Sequence, residues 1–169
     1  MILAVTGIIL LCAMEIENAR KLDPKSSPIL ADKGLILFLA GQKNQAIGLL
    51  KQIETMEPAF LSPHAYLAEA DLDAKDYKDY LSECRKAALI LQDHSRLEIV
   101  AAGEKGFAVC GGVGMLRAML SAQKELYADG RIDAYDLALG YCLSGDKQRA
   151  GFAANCGRKA RGAGHICSR

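Results

Sequence analysis

The stretch QIETMEPAFLSP at residues 52–63 decides the fold, because it is similar to NARKLDPKSSP at residues 18–28. Pro24 and Pro58 occupy matching positions in the two stretches and lie 34 residues apart. Internal similarity at a fixed period of roughly 20–50 residues is typical of repeat architectures. Because proline is a poor continuer of a helix, each proline group is expected to separate two repeated units.

The composition favours a helical protein that forms a single domain. The chain has 169 residues, contains no Trp and is rich in Ala, Leu and Gly, whereas runs of Val, Ile and Thr are nearly absent. Its 21 basic and 20 acidic side chains almost cancel, so no overall charge attracts nucleic acid or a membrane surface.

Small residues at a fixed spacing predict pairs of helices. Gly7 and Gly41 lie 34 residues apart, and Lys75 follows Gly41 at the same distance. Gly34 and Ala68 share a position on the first helix of a pair, where a small side chain allows the two helices to approach closely. Turns between helices are predicted near Gly7, Gly41, Lys75, Gly112 and Gly145.

Two serine–proline pairs, Ser27-Pro28 and Ser62-Pro63, mark the predicted helix starts. A serine side chain can accept a hydrogen bond from a free N–H group of the first turn. Proline at the first helical position loses no hydrogen bond, because that N–H has no partner within the helix. We therefore expect each serine to cap the helix that follows it.

The repeats resemble the tetratricopeptide repeat family, although no unit contains the signature tryptophan of that family. The match runs from about Gly7 to Ala150, and it is similar to the repeat arrays of bacterial regulators and signalling proteins. The resemblance implies an all-α fold, a right-handed superhelix (solenoid) of antiparallel helix pairs with about four units, the first truncated. The residues that carry it are Gly34, Gly41, Ala46, Pro58, Leu67, Ala68, Ala87, Leu137, Ala138, Tyr141, Gly145 and Ala150.

The repeat domain is predicted to span residues 1–150, followed by a Gly-rich basic tail or degenerate last helix at residues 151–169. The tail carries a basic cluster made of Arg158, Lys159 and Arg161. The predicted units cover residues 1–24, 25–58, 59–93 and 94–130, with a last partial unit at residues 131–150.

The uncharged opening MILAVTGIILLCAM, residues 1–14, is interpreted as the end of one helix, a turn at Gly7 and the start of a second helix. Cys12 then takes the small-residue position that Ala46 takes one period later. A signal peptide is an open alternative, but no basic residue precedes Arg20. Because fourteen residues are too few to span a bilayer, we expect a cytoplasmic protein without a membrane anchor. We also hypothesise a homodimer through this apolar end.

No group of residues predicts an enzyme, a cofactor or a metal site. The six cysteines form no C-x-x-C pair, so we expect free thiols. Cys156, His165 and Cys167 come closest to a metal cluster. His64 is expected at the surface or in a groove, and the acidic run at residues 69–79 is expected to face solvent. The sequence CGGVG at residues 110–114 is interpreted as a turn between helices rather than a phosphate loop, because no strand precedes it.

The resemblance places a binding groove on the first helices of the second and third units. An apolar groove with one acidic edge suits an amphipathic helix or an extended apolar peptide. We therefore expect a non-catalytic protein–protein interaction scaffold, a fragment of a bacterial regulatory or signalling protein. The alternative is a nucleic-acid-associated transcriptional regulator that uses the basic tail. The predicted groove residues are Ala31, Leu35, Phe38, Leu39, Ala65, Tyr66, Glu69 and Leu72.

Overall fold

The computed structural model describes residues 2–146, 148, 149 and 151, and side chains from residue 7 onward. This part of the chain contains seven helices and no strand, which confirms the predicted all-α class. The helices are α1 (Ile2–Leu22), α2 (Ser27–Leu39), α3 (Lys43–Met56), α4 (Leu61–Ala74), α5 (Tyr77–Ile90), α6 (His94–Ala128) and α7 (Ala134–Leu143).

The chain divides into two compact units, the first ending at Gln92 and the second beginning at Asp93. In the first unit, α2 packs against α3 and α4 packs against α5. Only three residues join α2 to α3 and only two join α4 to α5, so each pair is an antiparallel hairpin. Further contacts join α1 to α2, α3 to α4, and α2 to α4. In the second unit, α6 packs against α7.

The core of the first unit lies between α2, α3 and α4. Ala31, Leu50, Ile53 and Leu67 are fully buried there. Full burial of one such leucine or isoleucine side chain stabilises a fold by about 1.5–3 kcal/mol. Gly34 lies next to Leu50, and a β-carbon at position 34 would come within 2.7 Å of Leu50 Cδ2. The predicted close approach of the two helices at Gly34 is therefore confirmed.

The turns that end α2, α4 and α7 are formed by backbone with positive φ. Gly41 has φ 81° and Gly145 has φ 86°, a region that glycine enters without steric cost. Lys75 has φ 61° and ψ 24° and ends α4 in the left-handed conformation. The predicted turns near these three residues are confirmed.

The predicted turn at Gly7 is wrong, because α1 continues through it as one helix from Ile2 to Leu22. An interior glycine costs a helix only about 1 kcal/mol relative to alanine, and the helix-forming residues on both sides offset that cost. Cys12 is exposed on α1 rather than placed in a buried small-residue position. The exposed large apolar side chains of this helix are Ile8, Leu10, Leu11, Met14 and Leu22.

Serine does not cap the helices that follow the serine–proline pairs. Ser27 lies inside the first turn of α2, and its hydroxyl donates a hydrogen bond to Glu57 Oε1 at 2.5 Å. Phe60 precedes α4, so Ser62 is a helical residue as well. The prediction failed because α2 begins one residue before Pro28 and α4 begins two residues before Pro63, so both serines lie inside the first turn. Aspartates provide the caps elsewhere: Asp76 for α5, Asp93 for α6 and Asp133 for α7.

Helix α6 reverses direction at Cys110 and Gly111, where the backbone leaves the helical region. Gly106 and Gly114 lie on either side of the reversal, and a β-carbon at position 106 would lie 2.4 Å from the Gly114 carbonyl oxygen. In a straight helix these two residues would be separated by about 12 Å. The turn predicted near Gly112 is therefore confirmed to within one residue.

Helix α6 is also, among the described residues, the one helix whose length and composition are sufficient to cross a membrane. The reversal divides that length into two shorter arms. In the second unit, the Gln123 amide of α6 donates a hydrogen bond to the Asp136 carbonyl oxygen of α7 at 3.0 Å. Leu137 and Ala138 complete the small core between the two helices.

Candidate functional site

The predicted groove residues lie on α2 and α4, which pack side by side in the first unit. One hydrogen bond connects the two helices at this surface: the Tyr66 hydroxyl donates to Asp32 Oδ1 at 3.0 Å. Burial, together with the hydrogen bond to Asp32, raises the pKa of Tyr66 above its ordinary value. We name this surface, formed by the predicted residues of both helices, the α2–α4 face.

The members of the α2–α4 face differ in accessibility. Ala31 is fully buried in the core, so its assignment to the groove is wrong: it packs with Leu50, Ile53 and Leu67 instead. The exposed members are Leu39, Ala65 and Glu69, and the half-buried members are Leu35, Phe38, Tyr66 and Leu72.

One edge of the α2–α4 face is closed by a lysine. The Lys43 ammonium lies 5.9 Å from the centroid of the Phe38 ring, which is within the range of a cation–π interaction. The same ammonium forms an ion pair with Asp73 of α4. Leu35 and Asp32 also line a hollow of about 480 Å³ between α2 and α1.

A second candidate site surrounds His64, which is 1% exposed. The prediction of a surface position is wrong, because helix α4 starts at Leu61 and turns His64 toward α3 and α5. Helix α3 contributes Glu54 and α5 contributes Glu83, and the donor atoms of the three side chains lie within 4.8 Å of one another. No sequence pattern indicated this cluster, because His64 is 10 residues from Glu54 and 19 residues from Glu83, and these spacings fit no local motif.

The hydrogen bonds of His64 define which ring nitrogen faces the glutamates. Nε2 lies 3.0 Å from the Pro58 carbonyl oxygen, and a carbonyl can only accept, so Nε2 carries a hydrogen. Nδ1 lies 2.8 Å from Glu83 Oε2 and 3.8 Å from Glu54 Oε1. A carboxylate also only accepts, so the short contact to Glu83 is a hydrogen bond that Nδ1 donates.

Lys86 supplies a positive charge to the same two glutamates. Its ammonium lies 2.5 Å from Glu54 Oε1 and 2.8 Å from Glu83 Oε1. These hydrogen bonds, first to Glu54 and then to Glu83, raise the pKa of Lys86 above its ordinary value. We name the four residues Glu54, His64, Glu83 and Lys86 the His64 cluster.

The His64 cluster opens onto a cleft of about 710 Å³ in the first unit. Both charged and apolar side chains line it, so a ligand there would meet groups of both signs. Apart from the cluster itself, the lining residues are Lys51, Thr55, Pro58, Asp79, Ser82, Leu89 and Ile90.

Asp71 of α4 is a buried carboxyl group near this cleft, with 8% of its surface exposed. Burial is the main cause that raises its pKa to about 6, and the charges of Asp79 and Glu83 act in the same direction. Lys51 opposes them by favouring the ionised form. The prediction that the whole acidic run at residues 69–79 faces solvent is therefore wrong for Asp71.

Within the described residues, no cysteine forms a disulfide. The described cysteines are Cys12, Cys84, Cys110 and Cys142. The predicted weak cluster of Cys156, His165 and Cys167 lies outside the described residues. The basic cluster of the tail, Arg158, Lys159 and Arg161, lies outside them as well.

Both candidate sites thus belong to the first compact unit, which ends at Gln92. The α2–α4 face offers apolar side chains beside one exposed acid, whereas the His64 cluster offers nitrogen and oxygen donors beside a cleft. Their chemistry is the basis for the function proposed below. Comparison of the chain with models of known protein families, with curated proteins and with solved structures finds no match.

Proposed function

We propose that this chain is a non-catalytic scaffold that binds a peptide or a helix of a partner protein on the α2–α4 face. The proposal includes a tetratricopeptide-like arrangement of the helix pairs and a role as part of a bacterial regulatory or signalling protein. Two observations support the arrangement. Short turns join α2 to α3 and α4 to α5, and the first helices of the two pairs, α2 and α4, contact each other.

The observation that carries the proposal is the chemistry of the α2–α4 face. Leu39 is 57% exposed at the end of α2, and the half-buried Leu35 and Leu72 add apolar surface on the two helices. Glu69 is exposed on α4 and provides the acidic edge. Apolar contacts of this kind supply affinity for an amphipathic helix, while a charge at the rim controls orientation and association rate. The expected ligand therefore combines apolar residues at helical spacing with a basic residue beside Glu69.

A peptide-display selection against the full chain tests the proposal, with a library of amphipathic helices that vary at their apolar positions. The affinity of each enriched peptide is then measured by calorimetry for two variants of equal charge. Leu39→Glu places a carboxylate on the α2–α4 face, and Val109→Glu places one at an apolar position of α6 that is 88% exposed. We expect Leu39→Glu to weaken binding at least tenfold, which is about 1.4 kcal/mol, and Val109→Glu to leave it unchanged.

Charge reversal provides a second measurement. Glu69→Lys is expected to weaken the binding of peptides that carry a basic residue at the rim. The affinity of peptides without such a residue should not change. If the selected peptides bind the Leu39→Glu variant as tightly as the unmodified chain, the α2–α4 face is not the binding surface and the proposal is overturned.

A further inference from the structure

We infer that Glu54, His64 and Glu83 form a binding site for a divalent transition-metal ion such as Zn²⁺. The three side chains come from α3, α4 and α5, so the fold of the first unit brings them together. This inference concerns a different surface from the α2–α4 face and does not depend on the proposed peptide binding. The orientation of His64, the distances between donor atoms and the balance of charge support it.

The ring of His64 is oriented in the manner of a metal ligand. A histidine that binds a metal through one nitrogen usually donates the hydrogen of the other nitrogen to a carbonyl or carboxylate, which fixes the tautomer. Here Nε2 faces the Pro58 carbonyl oxygen at 3.0 Å. Nδ1 therefore faces Glu83 and Glu54, and the proton that it shares with Glu83 leaves when an ion binds there.

The spacing of the donor atoms fits a small ion. Zinc binds nitrogen and carboxylate oxygen at about 2.0–2.2 Å in tetrahedral geometry, so two donors on the same ion lie roughly 3.3 Å apart. His64 Nδ1 lies 2.8 Å from Glu83 Oε2 and 3.8 Å from Glu54 Oε1, distances on either side of that value. All three donor atoms lie within 4.8 Å of one another, so side-chain movements of roughly an ångström would bring them to one ion beside the cleft.

Charge balance allows the ion to replace groups that are already present. Two carboxylates, one of them on a glutamate that is 6% exposed, need compensating positive charge because a buried unpaired charge is costly. In the structure, Lys86 supplies part of it. A divalent ion supplies two positive charges at once, and Lys86 can leave because 42% of its side chain is already exposed. The imidazole donor favours zinc, cobalt or nickel over Mg²⁺ and Ca²⁺.

Titration of the full chain with CoCl₂ tests the site, because cobalt occupies zinc sites and reports its ligands by visible absorption. We expect one ion per chain with a spectrum of nitrogen and oxygen ligands, displaced by ZnCl₂ and not by MgCl₂. A thiolate-to-cobalt charge-transfer band would instead assign the ion to cysteines and overturn the inference.

Three substitutions separate a metal site from a purely structural ion-pair network. Glu54→Gln removes one ligand at nearly constant volume and is expected to weaken cobalt binding at least tenfold. Asp79 lines the same cleft but is not one of the ligands. Asp79→Asn is therefore expected to change the affinity for cobalt less than threefold. Lys86→Met removes the competing ammonium and is expected to tighten binding severalfold, a gain that a structural ion pair would not produce.

Circular dichroism verifies that each variant remains helical. If Glu54→Gln fails to fold, the gain expected for Lys86→Met still decides the question. Absence of cobalt binding by the unmodified chain, or equal affinity in the unmodified chain, Glu54→Gln and Lys86→Met, would show that the His64 cluster is an ion-pair network only.

Discussion

Gly34 on α2 lies so close to Leu50 on α3 that a β-carbon at position 34 would come within 2.7 Å of Leu50 Cδ2 and 2.8 Å of Cγ. Leu50 is fully buried, so its side chain has little free volume to enter when a methyl group is added at position 34. The contact determines how closely the first helix hairpin packs.

We expect Gly34→Ala to lower the free energy of unfolding by about 1–2 kcal/mol, because the strain of overpacking exceeds the gain in helix propensity. Gly48→Ala is the matched control on α3, since a β-carbon there meets no atom within 4 Å. The control is expected to stabilise the protein by up to about 1 kcal/mol. Urea unfolding measures both, and stabilisation by Gly34→Ala would contradict the close packing.

Asp71 is expected to make stability fall as pH rises. Its pKa is raised to about 6 in the folded protein from an ordinary value of 3.8, so the folded state holds the proton more tightly than the unfolded state. The contribution of Asp71 is therefore favourable below about pH 4 and is lost as pH rises toward 6. Asp71→Asn removes this loss and should stabilise the protein at pH 7 by roughly 1–2 kcal/mol, a value reduced for the screening by water that reaches the carboxyl.

Unfolding by urea at pH 4, 5, 6 and 7 checks this prediction. Glu69→Gln is the control on the same helix, because it removes an exposed carboxyl group instead of the buried one. The interpretation would be abandoned if Asp71→Asn were equally stabilising at pH 4 and at pH 7.

Substitutions of His64 and Glu83 are expected to have strongly non-additive effects on the free energy of unfolding. Glu83→Leu leaves the buried imidazole and part of the Lys86 ammonium without their carboxylate, and in a chelator-containing buffer it should cost about 3 kcal/mol or more. Adding His64→Leu removes the imidazole that lost its partner. The double variant should therefore lose about 1–3 kcal/mol less stability than the sum of the losses in the two single variants. Additive costs in this double-mutant cycle would mean that the two side chains do not act as a pair.

The exposed apolar face of α1 is proposed to pack against a second copy of the chain. Ile8 and Leu11 are 60% and 61% exposed and lie one helical turn apart. Burial of apolar surface contributes about 25 cal/mol per Å², so a face of several such residues can offset the cost of association. Replacing both residues with Glu should convert a dimer into a helical monomer.

Sedimentation velocity at micromolar concentration checks this prediction. Leu22→Glu is the control on the same helix, because Leu22 is 89% exposed near its other end and should leave the dimer intact. An unmodified chain that sediments as a monomer would end the dimer hypothesis.

The sequence was sufficient for the turns at Gly41 and Lys75 and for the close approach at Gly34, because repetition at a fixed spacing reports which positions are structurally equivalent. The same spacing failed at Gly7, where no proline or polar turn residue ends the helix and α1 continues. A glycine position alone does not distinguish a turn from an interior helical residue.

The His64 cluster could not be predicted, because it depends on how three helices rotate about their axes when they pack. In the sequence, Glu54 and Glu83 each resemble an ordinary polar residue on a helix surface. Only the packing of α3, α4 and α5 brings them to one histidine. Asp71 was missed for a related reason: neighbouring acids made the whole segment resemble a solvated surface, although α4 buries one side of it.

The hydrogen bond between Tyr66 and Asp32 joins residues that lie 34 positions apart, the same distance as the sequence period. Insertion of one residue inside α3 would rotate one end of that helix by about 100° relative to the other and disturb the contacts that position the Tyr66 donor and the Asp32 acceptor. An insertion in the loop between Met56 and Leu61 would not change which residues of α3 and α4 share a helical face. Tolerance of length variation in this part of the chain should therefore be concentrated in that loop rather than inside α3.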